Sequence, residues 1–205
     1  SLVVTILTDT VNAFDNETSL REAIAFANDP TAGSLSDGDA DGVDGANDTI
    51  TFAPALAVGG TITLGGTQLA ITEAVTIDNG TTPDIVIDAD GLSRVIETSA
   101  NLTIKGLTIT GGNVAGDGGG ILATGSATLT ITNSAITGNQ TTGNNADGGG
   151  IFGGNITLTN STVSGNSTLA NYSEGGGIFG GNITLTNSTV SGNSTSGRWG
   201  KGGGI

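Results

Sequence analysis

The chain contains no cysteine, no histidine and no methionine. Without thiols, disulfides do not hold the fold, whatever the compartment. Without thiolate or imidazole, soft-metal sites are excluded, and only hard oxygen ligands for a cation such as Ca²⁺ remain. Proline is scarce, with 3 residues among 205, so the 37 glycines do not form a collagen pattern. Aromatics make up 3%. No apolar run reaches the roughly 18 residues of a membrane span, and no signal peptide is visible. Cations are few: 5 Lys and Arg face 19 Asp and Glu, for a formal net charge of −14. Such a chain repels nucleic acid and anionic membrane, and suits cations or neutral glycans. It starts at Ser1 and stops inside a repeat, which reads as a piece of a longer protein.

What is present is a repeat. Residues 148–168 read GGGIFGGNITLTNSTVSGNST, and residues 175–195 repeat all 21 letters with a period of 27. A weaker copy begins at Gly118 and a fourth starts at Gly202. Self-similarity at this period signals a solenoid. Val75, Leu102, Leu129, Ile156 and Ile183 share one register. Ile77, Ile104, Ile131, Leu158 and Leu185 share a second. Ile109, Ile136, Val163 and Val190 form a third column, and Ile121, Ile151, Ile178 and Ile205 a fourth. Two-residue alternation in short runs predicts strands with one buried face, which argues against disorder.

In the third copy the expected strands lie around Ile178, over Ile183–Thr186 and over Thr189–Ser191, with Gly-Gly-Asn and Asn-Ser at the corners. One repeat is then one coil of a parallel β-helix, stacked about 4.8 Å above the last. The columns Asn133, Asn160, Asn187 and Asn139, Asn166, Asn193 fit either bends or stacked, hydrogen-bonded amides.

Residues 1–48 read as an N-terminal cap and 49–205 as the coils. Residues 2–7 predict a strand. Ser19 to Glu22 fits a capping box, and LREAIAFAN over 20–28 predicts a short helix ended by Asp29-Pro30. Such a helix suits the cap that a solenoid's first coil requires. Arg21 and Glu22 read as helix-surface or capping charges.

Residues 37–48 (DGDADGVDGAND) match the pattern of a calcium loop, with Asp37, Asp39 and Asp41 at alternate positions, Gly42 for the turn and Asp48 at position twelve. Position twelve lacks the usual Glu, and Thr49–Phe52 predicts a strand where a helix would flank such a loop. A solvated acidic loop is the other reading.

Thr18-Ser-Leu-Arg-Glu-Ala23, then Ile50–Phe52, then GGGI and SGN repeats resemble bacterial secreted proteins that carry a CSLREA-type motif before a right-handed β-helix. Thr18 stands where that motif has Cys. The repeats are also similar to chlamydial polymorphic outer-membrane passengers, which repeat GGA[ILV] and FxxN. Here Gly149-Gly-Ile151 lacks the Ala, and Val163 replaces the Phe. The resemblance implies a right-handed parallel β-helix on an extracellular, surface-displayed passenger, adhesive or structural in role. It supplies no catalytic residues.

Three outward features bear on function. Asp117, Asp147 and Glu174 each precede GGG and stack on one edge, which suits a glycan-cleaving enzyme with paired carboxylates. Lys105, Arg198 and Lys201 are the only cations after Arg94, a poor provision for an anionic sugar. Thr76, Thr103, Thr130, Thr157 and Thr184 form a column resembling the ice-binding surface of some antifreeze proteins, although Thr also simply suits an outward strand position. The loops 140–147, 167–174 and 194–201 differ while the strands hardly vary, and they offer Tyr172, Arg198 and Trp199 as partner contacts.

N-x-[ST] sequons, among them Asn155, Asn160, Asn166 and Asn171, follow from an Asn/Ser/Thr-rich composition.

The expectation is a non-enzymatic, extracellular structural or adhesive β-helix, with Ca²⁺ at the acidic loop. Its expected partners are further repeats or other copies of itself stacked on the C-terminal end, surface glycans, or a cell-surface protein of a host. Neither nucleic acid nor a membrane span is expected.

Overall fold

The computed structural model describes residues 2–12, 15–29, 48–56, 59–81 and 84–205. The chain coils into a parallel β-solenoid; among the described residues its three sheets have ten, six and four strands. Every strand pairing is parallel. The expected columns pair as read. Val75 faces Leu102, Leu102 faces Leu129, Leu129 faces Ile156, and Ile156 faces Ile183. Their side chains point inward, and all but Ile183 are buried. Each fully buried Ile or Leu contributes roughly 1.5–3 kcal/mol, so the stack of columns is the main stabilising term.

The stack reaches further back than the regular period. Leu2 pairs with Ile50 and Ile50 with Ile77, so Leu2–Val4 already belongs to the ten-stranded sheet, ahead of the boundary expected at residue 48. Ile62 pairs with Ile87 and Ile87 with Ile109, in steps of 25 and 22 residues rather than 27. Unequal corners absorb the difference while the inward columns stay aligned.

The strands within a coil differ from the expected set. Ile178–Thr186 is one continuous nine-residue strand, as is Ile151–Thr159, so Gly-Gly-Asn lies inside a strand rather than at a corner. In the coil before, Ile121–Ala123 and Thr128–Thr132 are separated by a turn at Thr124–Ala127. Removing three residues from that turn straightens two strands into one. The third sheet is instead built from Asn113–Val114, Gln140–Thr141, Ser167–Thr168 and Ser194–Thr195.

The Asn-Ser corners are as expected. Asn133, Asn160 and Asn187 adopt left-handed backbone with φ of 51°, 50° and 49°, a conformation that Asn tolerates.

The helix α1 spans Leu20–Asn28, and the capping box forms in full between Ser19 and Glu22. Leu20, Ala23, Ile24 and Ala27 turn inward over the first strands. Glu22 is not a surface charge. It is buried, and accepts from the backbone N–H groups of Ser19 and Asn12 at 2.8 and 2.5 Å.

Candidate functional site

Asn139, Asn166 and Asn193 form a ladder on the inner side of one corner, the first two buried and Asn193 half-buried. Asn139 Nδ2 donates to Asn166 Oδ1 at 3.0 Å, and Asn166 Nδ2 donates to Asn193 Oδ1 at 3.0 Å. The same oxygens accept the backbone N–H groups of Asn139 and Asn166, each at 2.9 Å. Asn139, Asn166 and Asn193 thus form a ladder, while the corner column serves bends and carries one exposed amide bond, Asn160 Nδ2 to Asn133 Oδ1 at 3.3 Å. Engaged in this way, Asn166 is a structural residue and not a free sequon. The GGG runs pack directly against it. A Cβ on Gly150 would lie 2.6 Å from Gly177 O and 2.9 Å from the Asn166 amide, so only glycine fits.

A serine ladder runs beside it, which the sequence reading did not single out. Leu107 N donates to Ser134 Oγ, Ser134 N to Ser161 Oγ, and Ser161 N to Ser188 Oγ, at 3.1–3.2 Å. Its signal was the Ser that follows every corner Asn.

The eight-residue loops are ordered by the same device. Asn171 N donates to Asn144 Oδ1 at 3.1 Å, and Arg198 N donates to Asn171 Oδ1 at 2.8 Å. Tyr172 N donates to Arg198 O at 2.9 Å. This register stacks Tyr172 on Trp199, with ring centroids 4.8 Å apart and planes 14° from parallel. Both rings are exposed, at 53% and 64%. Both residues hold left-handed backbone, φ 61° and 60°, at the position Asn145 occupies one coil earlier with φ 58°. Aromatic side chains have no preference for that conformation, which costs roughly 1–2 kcal/mol each. An offset stack returns about 0.5–1.5 kcal/mol.

A family model described as the right-handed β-helix region matches residues 58–205, well over half of the chain. The chain belongs to the right-handed β-helix family. No curated protein and no solved structure matches it. The coils of this β-helix are thus right-handed, with the aromatic stack on one outer edge.

Asp117, Asp147 and Glu174 line the edge before three of the GGG runs, and Lys201 precedes the fourth. Asp117 Oδ1 accepts from Asp147 N at 2.8 Å, and Asp147 Oδ1 accepts from Glu174 N at 2.6 Å. Glu174 Oε1 pairs with Lys201 Nζ at 3.1 Å. Burial holds the Asp147 carboxyl above its ordinary pKa, opposed by the Glu174 N–H bond and reinforced by the charges of Asp117 and Glu174. Arg94 ties this edge to the coil before. It donates to the carbonyls of Asp117 and Gly118 and to Gln68 Oε1, and pairs with Glu97 at 2.8 Å. Its burial pushes the guanidinium pKa down, against the pull of Glu97 and Asp117.

The outward threonines pair in register as Thr49, Thr76, Thr103, Thr130, Thr157 and Thr184. The adjacent column carries an ion pair, Lys105 Nζ to Asp78 Oδ2 at 3.0 Å, between its threonines.

Of the expected calcium ligands, Asp37, Asp39 and Asp41 lie outside the described residues. Asp48 opens the strand Asp48–Phe52 and faces Val75. Among the described residues, no group of three or more carboxylates is placed to hold a metal ion.

Proposed function

We propose that this β-helix is a non-enzymatic, extracellular structural and adhesive module that contacts its partner through the loop edge at Tyr172, Arg198 and Trp199. The observation that carries this reading is the exposed Tyr172–Trp199 stack, built on left-handed backbone beside strands that repeat without change. Local strain and exposed aromatics concentrate at binding sites. The core columns and ladders pack the interior and leave that edge free to vary. Surface display is supported by the resemblance of Thr18–Ala23 and the GGGI repeats to secreted CSLREA-type proteins and chlamydial polymorphic passengers. In that setting the partner is a surface glycan or a cell-surface protein.

The test is adhesion of the immobilised protein to glycan-coated and cell-coated surfaces. The comparison is the double variant Tyr172→Asn and Trp199→Asn, which keeps residues suited to the left-handed backbone. Saturable adhesion that falls at least tenfold in the variant is expected. Equal adhesion by the variant overturns the reading.

One observation favours a glycan-cleaving reading, the raised pKa of Asp147 beside two other carboxylates, a property of general acids. Turnover of a glycan panel that disappears with Asp147→Ala would replace the adhesive proposal.

A further inference from the structure

The outer face of the ten-stranded sheet carries a straight rank of hydroxyls. Thr76, Thr103, Thr130, Thr157 and Thr184 face one another across five coils. On each side of the rank lies an inward column, with Leu102 and Ile104, Leu129 and Ile131, and Ile156 and Leu158 all buried. Strand alternation therefore turns every one of these threonines outward, and successive rungs repeat at about 4.8 Å. A β-branched side chain is stiff at χ1, so each rung presents its hydroxyl and methyl with little freedom. Elsewhere threonine hydroxyls serve the fold: Thr98 Oγ1 donates to Ala100 O at 2.7 Å and Thr141 Oγ1 to Ala146 O at 3.0 Å. Among the described residues, none of the five outward hydroxyls bonds to another group of the protein.

The flanks of the rank are also neutral. Thr132, Thr159 and Thr186 stand two residues after it, and Thr128, Asn155 and Asn182 two residues before. Over three coils these nine residues make an array of hydroxyls, methyls and amides without a charge or an aromatic ring. Asn182 Nδ2 donates to Asn155 Oδ1 at 2.9 Å, which fixes the amides along the axis. Two coils earlier the flank holds Asp78 and Lys105, and these neutralise each other at 3.0 Å.

The partner such a face fits is set by its periodicity. A small ligand meets one or two rungs and leaves the others unused. A flexible chain loses conformational freedom in lying along the rank, and the array has no aromatic ring to offset that loss. A crystal face of water suffers neither defect. Its molecules are already ordered and repeat in two dimensions. Each can donate to and accept from a threonine hydroxyl, which itself does both. The methyl beside each hydroxyl restricts the orientation of first-shell water before any contact is made. Weak contacts on one rigid scaffold then add without a fresh ordering cost at each rung. We propose that the threonine rank from Thr76 to Thr184 is an ice-binding face. This activity is independent of the adhesive reading, because it uses the flat sheet and not the loops at Tyr172, Arg198 and Trp199.

The probe is ice itself. The 205-residue protein is assayed for thermal hysteresis, and fluorescently labelled protein for adsorption to a single ice crystal. The expected result is a hysteresis gap that grows with protein concentration, together with labelling of the crystal surface. Thr157→Lys, which puts a long charge in the middle of the array, is expected to reduce the gap at least fivefold. Thr162→Lys, the same change on the outer face of the six-stranded sheet, should leave the gap as it is. Where Thr157→Lys lowers the unfolding midpoint, Thr157→Ser takes its place; it keeps the hydroxyl, removes the methyl and should reduce the gap at least twofold. Absence of both hysteresis and adsorption in the unaltered protein overturns the proposal. So does a gap that the Thr157 variants leave unchanged or that Thr162→Lys lowers equally, or adsorption to crystalline cellulose with none to ice.

Discussion

Asn166 holds Asn193 twice: its backbone N–H and its side-chain Nδ2 both donate to Asn193 Oδ1, at 2.9 and 3.0 Å. Asn166 also donates to Ile136 O and accepts from Asn139 through its own Oδ1. Replacing it with alanine strands several buried groups at once. Each unsatisfied buried group costs about 1–3 kcal/mol. Asn166→Ala is expected to lower unfolding free energy by about 3 kcal/mol in urea denaturation. Asn160→Ala, at the exposed corner, is expected to cost only about 1 kcal/mol, through loss of the left-handed preference and of one exposed hydrogen bond to Asn133 Oδ1.

Arg21 anchors the cap through four donations, two to Asp9 and two to backbone carbonyls of the first coil. Arg21→Ala is expected to raise amide exchange over Leu69–Ile71 while leaving Ile151–Thr159 unchanged. Neighbour-only contacts in a solenoid confine the effect to the end where it is made. The local opening free energy should fall by about 2 kcal/mol.

The raised pKa of Asp147 gives the fold a pH signature. The native state holds this proton more tightly than the unfolded chain. Its contribution is therefore fully present below the ordinary value of 3.8 and is lost as pH rises through the folded value. Asp147→Asn keeps an acceptor for Glu174 N and removes the charge. It is expected to be more stable than wild type at pH 7 by less than about 1 kcal/mol, because the site is only half-buried and solvent-screened. The difference should vanish near pH 3, as followed by thermal melts across pH.

Tyr172 and Trp199 test whether stacking offsets strain. In a double-mutant cycle with Asn at each position, a coupling of about 0.5–1.5 kcal/mol is expected. Each single replacement should cost little in net stability, since Asn relieves the left-handed backbone as the ring contact is lost. The reading fails if the coupling is zero.

Much of this architecture was legible in the sequence because the inward residues are spaced by geometry that does not vary. Val75 to Ile183 and Ile77 to Leu185 align at one step, and pairing reproduces both columns. The first coils were not legible, because their corners have different lengths. The long excursion between Leu2 and Ile50 hides a neighbour relation that only the folded chain reveals. Gly153-Gly154 was read as a corner because glycine signals a turn in isolation. In place, Gly153 is buried and close-packed against Ile156. The loop edge was located by its variation. That Tyr172 and Trp199 stack on each other was not, since it depends on the left-handed turn shared with Asn145. That Asp9 Oδ2 accepts Gly65 N and Asn28 Nδ2 donates to Ala70 O left no sequence signal, because each acts across more than forty residues of chain.

The identity of the blocks 148–168 and 175–195 makes length a discrete variable in this molecule. Excising or duplicating 27 residues rejoins every ladder to an equivalent rung. The object then shortens or lengthens by one step of about 4.8 Å with no new corner to invent. Reach can thus change through recombination between like segments, one rung at a time, while the capped end and its fastenings stay as they are.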